Sequence, residues 1–458
     1  MRFCLSGEEG GGDMKKILAV WMLLAVSLLT CGCGLTFSAE ELYCLPKLPV
    51  EYTELDNRIN AILAEGAEYA APTSGRNIQP VQLEDLDGDG QEEAVAFFRN
   101  ASDEKPLKIC IFTADGESYR QTAVIESSGT SIYSVTYSDL NADGCSEILV
   151  GWRVTTDLQA LVVYSLRNGE VTELLRTNYV RYAVTNLDQD QLQELVVLHS
   201  LDESGSVADY YAWQDGTIQL RSSARISITM AELTQLGRIT GGTLSDEVPA
   251  LFVTGVEESA WAITDILAVR NGDLTNVVLS DDTGVSSEIA PYRSLHPTDI
   301  NGDGVTEVPW PVALPDRDDG GEQAYQRIDW RSYDSGGEPA TVLSTYHDIE
   351  DGWYFLLPDA WTDQIAVSRG VAPDEAYVTF YRMDGQTPQS FLRITAITGS
   401  SRNVKAVRGG RFILSRQAET IYTAELLEGN SGWSLGMTED EVCSAFNLIT
   451  KEWMYGDN

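Results

Sequence analysis

The chain has 458 residues, and its 31 basic residues against 70 acidic residues give a formal net charge of −39 at pH 7. This length is sufficient for about two or three domains with hydrophobic cores of their own. The acidity argues against nucleic acid as a partner, because the phosphates would be repelled. It equally disfavours an anionic membrane surface.

The chain begins with a predicted export signal, residues 1–33. Two lysines precede an apolar run, residues 17–29, which has the length of a signal-peptide core and is too short to span a bilayer comfortably. The Thr-Cys-Gly-Cys-Gly sequence that follows resembles a bacterial lipoprotein signal. This resemblance implies lipidation of Cys33, with Cys31 as the alternative, a true start at Met14, and anchoring to the outer face of the cell membrane. A plain cleaved signal is the competing interpretation.

Residues 34–75 are predicted to form a tether and a helix. Apolar residues at helical spacing indicate the helix within residues 51–65, and a glycine and a proline mark its end. Four cysteines follow the signal, and none of them forms a C-x-x-C pair. Structural zinc and thioredoxin-like chemistry therefore have no support in the sequence.

A predicted calcium loop occupies residues 85–93, Asp-Leu-Asp-Gly-Asp-Gly-Gln-Glu-Glu. Three aspartates two residues apart can direct their carboxylates at one point, and Gly90 can adopt the positive φ that such a turn needs. Calcium is bound by oxygen ligands alone, which this segment supplies. The expected ligands are Asp85, Asp87, Asp89, the backbone carbonyl of Gln91, and Glu93.

This loop differs from an EF-hand, in which the closing acid comes at the twelfth position rather than the ninth. Its flanks, residues 81–83 and 94–98, are strand-like and not helical, so the loop is expected at the tip of a β-hairpin. A single Asp-Gly turn is also common in hairpins as a solvated acidic turn.

The pattern recurs, which favours a metal over an acidic turn. Two further copies are complete, and a fourth has Gln191 in place of the glycine, which leaves its metal binding open. The further expected ligands are Asp139, Asn141, Asp143, Cys145 and Glu147; Asp299, Asn301, Asp303, Val305 and Glu307; and Asn186, Asp188, Asp190 and Glu194. The seventh-position residues Cys145 and Val305 are expected to contribute only their backbone carbonyls.

Residues 76–346 are predicted to form a β-propeller. The closing glutamates recur about every 50 residues, and a degenerate unit with Glu247 in register fits between the last two copies. Each unit contains about four strand-like runs, the content of one propeller blade. Five units predict about five four-stranded blades, and a sixth or seventh blade of degenerate sequence is compatible with the chain length.

The calcium loops and their spacing resemble the FG-GAP or VCBS-type repeats of integrin α-chain propellers and bacterial surface proteins. The resemblance covers roughly residues 76–346. It implies that the loop residues named above bind Ca²⁺. The Phe-Gly and Gly-Ala-Pro elements that name the family are not evident, so an integrin-like ligand site is not implied.

Residues 347–458 are predicted to form a small α+β domain. Five strand-like runs precede a C-terminal helix, in which Thr438 and Glu441 form a capping box. Val442, Phe446, Ile449 and Trp453 form its predicted apolar stripe. The opening sequence Tyr-Phe-Leu-Leu-Pro-Asp-Ala-Trp, from Tyr354, resembles the PsbP/Mog1-like domains of bacterial lipoproteins.

Catalytic motifs are scarce. The chain has three histidines, no H-E-x-x-H and no Gly-rich phosphate loop, and the G-x-S-x-G match at residues 432–436 has no histidine after it. The expected function is therefore a non-enzymatic, calcium-stabilised surface lipoprotein that binds an extracellular protein or glycan. The alternative is a polysaccharide-degrading enzyme, since some rhamnogalacturonan lyases also use calcium-loaded propellers.

Overall fold

A computed structural model describes residues 52–449, except for residues 116–117, 202–204, 259, 316–324 and 384–386. The predicted signal, Cys31, Cys33 and Trp453 lie outside the described residues. The chain divides into two compact units at Asn57, and helix α1 (Thr53–Ala64) crosses this division. The strands described below all lie in the second unit, which begins at Arg58. Within the described residues, no helix has the length and apolar character needed to cross a membrane.

The fold is mainly β, as predicted, and its described strands form six antiparallel sheets. Sheet 1 contains β1 (Glu68–Tyr69), β2 (Val81–Glu84), β3 (Glu93–Arg99), β4 (Leu107–Asp115) and β5 (Ser118–Ser127). Sheet 2 contains β6 (Ser131–Ser138), β7 (Glu147–Arg153), β8 (Gln159–Arg167) and β9 (Glu170–Tyr179). Sheet 3 contains β10 (Arg181–Thr185), β11 (Glu194–Ser200), β12 (Ser206–Gln214) and β13 (Thr217–Ile226).

The remaining three sheets continue this order along the chain. Sheet 4 follows helix α2 (Met230–Gln235) and contains β14 (Arg238–Thr243), β15 (Pro249–Glu257), β16 (Trp261–Arg270), β17 (Asp273–Asn276) and β18 (Ile289–Pro291). Sheet 5 contains β19 (Val308–Ala313), β20 (Gln326–Tyr333), β21 (Pro339–Asp348), β22 (Trp353–Leu357) and β28 (Phe446–Leu448). Sheet 6 contains β23 (Ile365–Ala372), β24 (Glu375–Arg382), β25 (Gln389–Ile397), β26 (Phe412–Arg416) and β27 (Ile421–Leu426).

The inner strands are buried on both faces. Six consecutive residues of β3 and six of β7 are buried, whereas exposed residues recur along the outer strand β9. An isolated antiparallel sheet would show buried and exposed residues in alternation. The continuous burial therefore means that other sheets cover these strands from both sides.

Successive sheets pack face to face. Within the described residues, five hydrophobic clusters each combine side chains from two sheets that are consecutive in the chain. Val95 and Val150 belong to the cluster between sheets 1 and 2, and Leu149 and Val197 to the one between sheets 2 and 3. Because each sheet is covered mainly by the sheets that precede and follow it in the chain, the hydrophobic core is a series of sheet–sheet interfaces rather than a single central cluster.

The C-terminal segment differs from its prediction. Sheet 5 crosses the predicted boundary between residues 346 and 347, because β21 pairs with β22. The predicted capping box is present in α4 (Glu439–Ala445), but this helix ends at Ala445, and Phe446 begins β28 instead of continuing an apolar stripe. Pairing with the edge of β22 satisfies the backbone there, which a sequence pattern does not reveal. Short helical segments complete the fold: α3 (Arg402–Lys405) and two 3₁₀ turns, Asp359–Trp361 and Glu428–Asn430.

Candidate functional sites

The four predicted loops occupy equivalent places. Loop 1, residues 85–93, connects β2 to β3 in sheet 1, and loops 2 and 3, residues 139–147 and 186–194, connect the first two strands of sheets 2 and 3. Loop 5, residues 299–307, precedes β19 of sheet 5, and a β-bridge between Thr298 and Glu307 closes it. In sheet 4 the equivalent connection is a short turn, residues 244–248.

Backbone N–H groups organise the acids of loop 1. Both carboxylate oxygens of Asp85 accept hydrogen bonds, from the N–H of Gly88 (2.8 Å) and that of Gly90 (2.9 Å), while Asp89 accepts one from Gln91 N–H (2.8 Å). Oxygens of Asp85, Asp87 and Asp89 lie within 4.8 Å of one another. These three side chains could therefore hold a metal ion.

Loops 2 and 5 repeat this arrangement. In loop 5, Asp299 accepts from Gly302 N–H (2.7 Å) and Gly304 N–H (2.9 Å), and Asp303 accepts from the N–H of Val305 (2.8 Å). In loop 2, Asp139 accepts from the N–H of Gly144 at 2.8 Å. The second acidic position is an asparagine in both, and the amide oxygens of Asn141 and Asn301 each accept from the N–H two residues later (both 3.0 Å).

The closing glutamates are buried beneath the loops. In each one, Oε2 accepts a hydrogen bond from the N–H of the second loop residue, at 3.0 Å for Glu93, 3.0 Å for Glu147, 2.8 Å for Glu194 and 3.2 Å for Glu307. Burial, reinforced by the loop aspartates, raises the pKa of Glu93, Glu194 and Glu307 to about 7. A bound cation would favour the ionised carboxylates and oppose this shift.

The donor set fits a hard cation. Among the described residues, no hydrogen-bond donor reaches Oε1 of Glu93 or of Glu307, although both side chains are fully buried. A buried carboxylate oxygen without a partner is costly unless something compensates its charge. Calcium, which takes six to eight oxygen ligands, suits these carboxylates, amide oxygens and carbonyls.

Loop 3 keeps its acids but has a different turn. Oxygens of Asp188, Asp190 and Glu194 lie within 4.8 Å of one another. The fourth residue is left-handed in all four loops, at Gln189 with φ +62°, but Gln191 lacks the positive φ that the sixth-position glycine has in the other loops. Asp190 accepts a hydrogen bond from Leu192 N–H (2.6 Å), at the same spacing as in the other loops.

Glu247 is not equivalent to the closing glutamates, contrary to the sequence prediction. It lies exposed in the sheet 4 turn, with φ +65°. The backbone of the buried Leu244 donates to the carbonyl of Val248 at 2.8 Å, where the other loops use a glutamate carboxylate. The shorter turn brings this carbonyl into place, so no carboxylate is needed.

Neighbouring loops contact each other directly. In loops 2 and 3, the residue before the closing glutamate donates its N–H to the preceding loop, from Ser146 to Leu86 O (3.1 Å) and from Gln193 to Leu140 O (3.2 Å). The thiol of Cys145 donates to the carbonyl of Asp87 at 3.1 Å, so this side chain faces loop 1 rather than its own acids. Consecutive loops therefore lie on the same side of the molecule.

Loop 2 has a partner that sequence reasoning missed. Arg167 Nη2 lies 2.7 Å from Asp143 Oδ2 and 3.1 Å from Glu147 Oε1. Arg167 is the last residue of β8, two strands after β6, so it is close to the loop only when the sheet has formed. A comparison of the residues that precede the hairpin turns in successive repeats could have identified Arg167 from the sequence.

A second feature is a cleft of about 310 Å³, lined by residues that include Arg293, Tyr325, Tyr346, Asp348, Glu350 and Arg369. The guanidinium of Arg369 contacts Asp348 Oδ2 (3.2 Å), Glu350 Oε2 (2.9 Å) and Asp351 Oδ2 (2.8 Å). Its backbone N–H donates to the Tyr325 hydroxyl at 2.8 Å. Sequence reasoning missed these residues because they come from separate strands without a motif.

The carboxyl groups of the cleft differ in environment. The side chain of Asp348 is 3% exposed, whereas that of Glu350 is 75% exposed. Burial and then the charge of Asp351 raise the pKa of Asp348, although Arg369 opposes the shift. One buried acid and one exposed carboxylate are thus bound to the same guanidinium.

His296, three residues before loop 5, is buried. Burial, followed by the charge of Arg238, lowers its pKa to about 4, compared with about 6.5 when unfolded. Because the unfolded chain takes up this proton first, stability should be complete above pH 6.5 and decline as the pH falls towards 4. Between pH 7 and pH 5, the His296→Gln variant should lose about 2 kcal/mol less stability than wild type.

Urea unfolding of both proteins in calcium-free buffer at the two pH values measures this difference. Carboxylate titration is common to both proteins and cancels in the comparison. Equal losses in the two proteins would show that His296 does not contribute to the acid sensitivity.

No protein-family model matches this chain, and no curated protein matches it. Solved structures that align with it include the exotype rhamnogalacturonan lyase YesX, at 11% identity over 70% of this chain and 74% of the lyase, with a TM-score of 0.29. The rhamnogalacturonan lyase YesW aligns at 13% identity over 71% and 64%, with a TM-score of 0.29. A rhamnogalacturonan lyase of Bacillus licheniformis aligns at 12% identity over 71% and 72%, with a TM-score of 0.26.

This comparison contradicts the expectation that the chain is not an enzyme, because all three solved structures are those of enzymes. A non-enzymatic function is therefore not retained.

Proposed function

We propose that loops 1, 3 and 5 bind calcium and that the chain is a calcium-stabilised protein of the FG-GAP or VCBS-repeat kind. Two observations within the described residues carry this proposal: the buried, unpartnered Oε1 of Glu93 in loop 1 and of Glu307 in loop 5, and the clustered acids of loops 1 and 3. Metal counting on the protein dialysed against calcium tests it directly. Three bound ions are expected, and a protein without calcium would refute the proposal.

The repeats are proposed to form blades of a β-propeller. Three features support this arrangement: the sheets follow chain order, consecutive sheets share a hydrophobic cluster, and consecutive loops are hydrogen-bonded to each other. Six sheets then correspond to six blades instead of the five counted from the sequence, with β23–β27 as the sixth. This sheet replaces the PsbP/Mog1-like domain as the proposed assignment for the C-terminal segment.

The cleft is proposed as the site at which the protein cleaves a polysaccharide. The specific observation is the pair Asp348 and Glu350, one buried with a raised pKa and one exposed, both held by Arg369. Glycoside hydrolysis commonly uses two carboxyl groups whose pKa values are separated in this way. Asp348 would donate a proton to the glycosidic oxygen, and Glu350 would act from the sugar side as base or nucleophile.

Charge indicates the class of glycan. Arg293 and Arg369 line the cleft, but the formal net charge of −39 on the chain repels an acidic polymer. Tyr325, which is half-buried, offers aromatic surface for stacking on a sugar ring. A neutral polysaccharide is therefore the proposed substrate, and assays of reducing-end release from neutral and acidic polysaccharides test this choice.

The protein is proposed to act outside the bacterial cell, anchored through a lipid on Cys33. The signal-like segment and the calcium loops support this location, because free calcium is abundant outside cells. Cys33→Ala should move the protein from the membrane fraction to the soluble fraction and abolish incorporation of radiolabelled palmitate. Continued labelling of that variant, with loss of labelling in Cys31→Ala, would assign the lipid to Cys31.

A further inference from the structure

We propose that Arg167 is the built-in cation of loop 2, so that loop 2 binds no calcium although its sequence matches the calcium pattern. This inference rests on the proposed calcium binding by the other loops. The inference separates the loops that bind an ion from loop 2. In loop 2 the Arg167 side chain neutralises the carboxylates, a role that the loop pattern alone would assign to a metal.

The contacts of Arg167 occupy the oxygens that an ion would need. One guanidinium nitrogen lies 2.7 Å from Asp143 Oδ2 and 3.1 Å from Glu147 Oε1. The side chain of Glu147 is fully buried. In loops 1 and 5, by contrast, Oε1 of the corresponding Glu93 and Glu307 has no donor among the described residues. Among loops 1, 2 and 5, this buried oxygen thus has a partner only in loop 2, where Arg167 supplies it.

Charge makes the two cations mutually exclusive. A guanidinium keeps its charge at all relevant pH values, and two like charges about 3–4 Å apart repel each other strongly in a partly buried site. Calcium would also need Asp143 and Glu147 at about 2.3–2.6 Å, where the N–H groups of Arg167 now point. Binding of an ion would require this arginine to leave the loop.

The other sheets follow the same rule. Arg167 ends the strand that follows the loop hairpin, β8 in sheet 2, and precedes the left-handed pair Asn168 and Gly169. The corresponding strand ends in sheets 1, 3 and 5 carry no cation; they are Asp115, Gln214 and Tyr333.

Sheet 4 has Arg270 at this position and no acidic loop of the calcium type. Burial of the nearby Asp246 works against ionisation, but hydrogen bonds from Ser335 and the charge of Arg270 lower the pKa of this carboxyl. An arginine thus ends this strand in sheets 2 and 4, whereas the corresponding strands of sheets 1, 3 and 5 end in other residues.

Metal counting on matched variants tests the inference. Wild type is expected to bind three calcium ions, and Asp139→Asn should also bind three, because loop 2 takes none. Arg167→Gln should bind four, and the double variant should return to three. Arg176→Gln, which removes an exposed arginine paired with Glu173 (2.6 Å), is the control and should bind three.

The outcomes separate this inference from the proposed function. A wild type without calcium would refute both. A wild type that loses one ion on Asp139→Asn, or an Arg167→Gln variant that stays at three, would overturn the role of Arg167 while leaving calcium binding intact. If Arg167→Gln fails to fold, the Asp139→Asn count and an Arg167→Lys variant, expected to bind three, still decide the question.

Discussion

Removing calcium is expected to lower the melting temperature of the protein by roughly 5–10 °C. With free calcium about tenfold above Kd, each site contributes about 1.4 kcal/mol by mass action, and three sites contribute about 4 kcal/mol. This is a large share of the free energy of unfolding of a typical protein. Thermal melts of the soluble protein, residues 34–458, in calcium and in EDTA measure the shift.

A loop variant makes this result specific. Asp299→Asn removes the charge of the side chain that accepts three backbone hydrogen bonds in loop 5. It should lower the melting temperature in calcium and leave the calcium-induced shift smaller by about one third. Glu170→Gln, a change of the same charge at an exposed residue outside the loops, should behave as wild type in both buffers. An equal calcium-induced shift in Asp299→Asn and wild type would contradict an ion in loop 5.

Replacement of the buried acid of the cleft should have the largest effect on activity. Asp348→Asn keeps the size of the side chain but removes the proton that the leaving oxygen needs, so polysaccharide cleavage should fall by about 10²–10⁴-fold. Glu350→Gln should reduce cleavage comparably. Initial rates of reducing-end release by purified variants, each verified by its melting temperature, measure these losses.

Asp363→Asn provides the matched control for the cleft variants. Asp363 is 79% exposed, contacts Arg327 rather than Arg369, and should retain the wild-type rate after substitution. Full activity in Asp348→Asn would remove this residue from the reaction. Absence of cleavage by wild type across neutral and acidic polysaccharides would remove the proposed enzymatic function itself.

Sequence patterns correctly predicted those structural elements that are determined by residues within a few positions of one another. The strands around loop 1 and the capping box of Thr438 with Glu441 follow from side-chain chemistry within a few residues, and the structure places them where the sequence does. The hairpin position of the loop follows in the same way from the strand-like residues on either side of it.

Features that depend on distant parts of the chain could not be predicted. Arg167 reaches loop 2 through strand pairing, and the cleft combines Arg293 with Asp348 and Arg369 from separate strands. The end of α4 at Ala445 depends on a sheet edge almost 100 residues earlier in the chain. Such contacts are set by tertiary structure, which overrides local helical periodicity.

The pairing of β28 with β22 makes completion of sheet 5 wait for the C-terminal part of the chain. Until Phe446 arrives, β22 is an open edge strand whose unpaired N–H and C=O groups can recruit a strand from another molecule. Trp353 and Phe355, which line this edge, would add apolar attraction to such pairing. Protection against aggregation is therefore delayed to the final stage of synthesis, and chains shortened before residue 446 would lack it permanently.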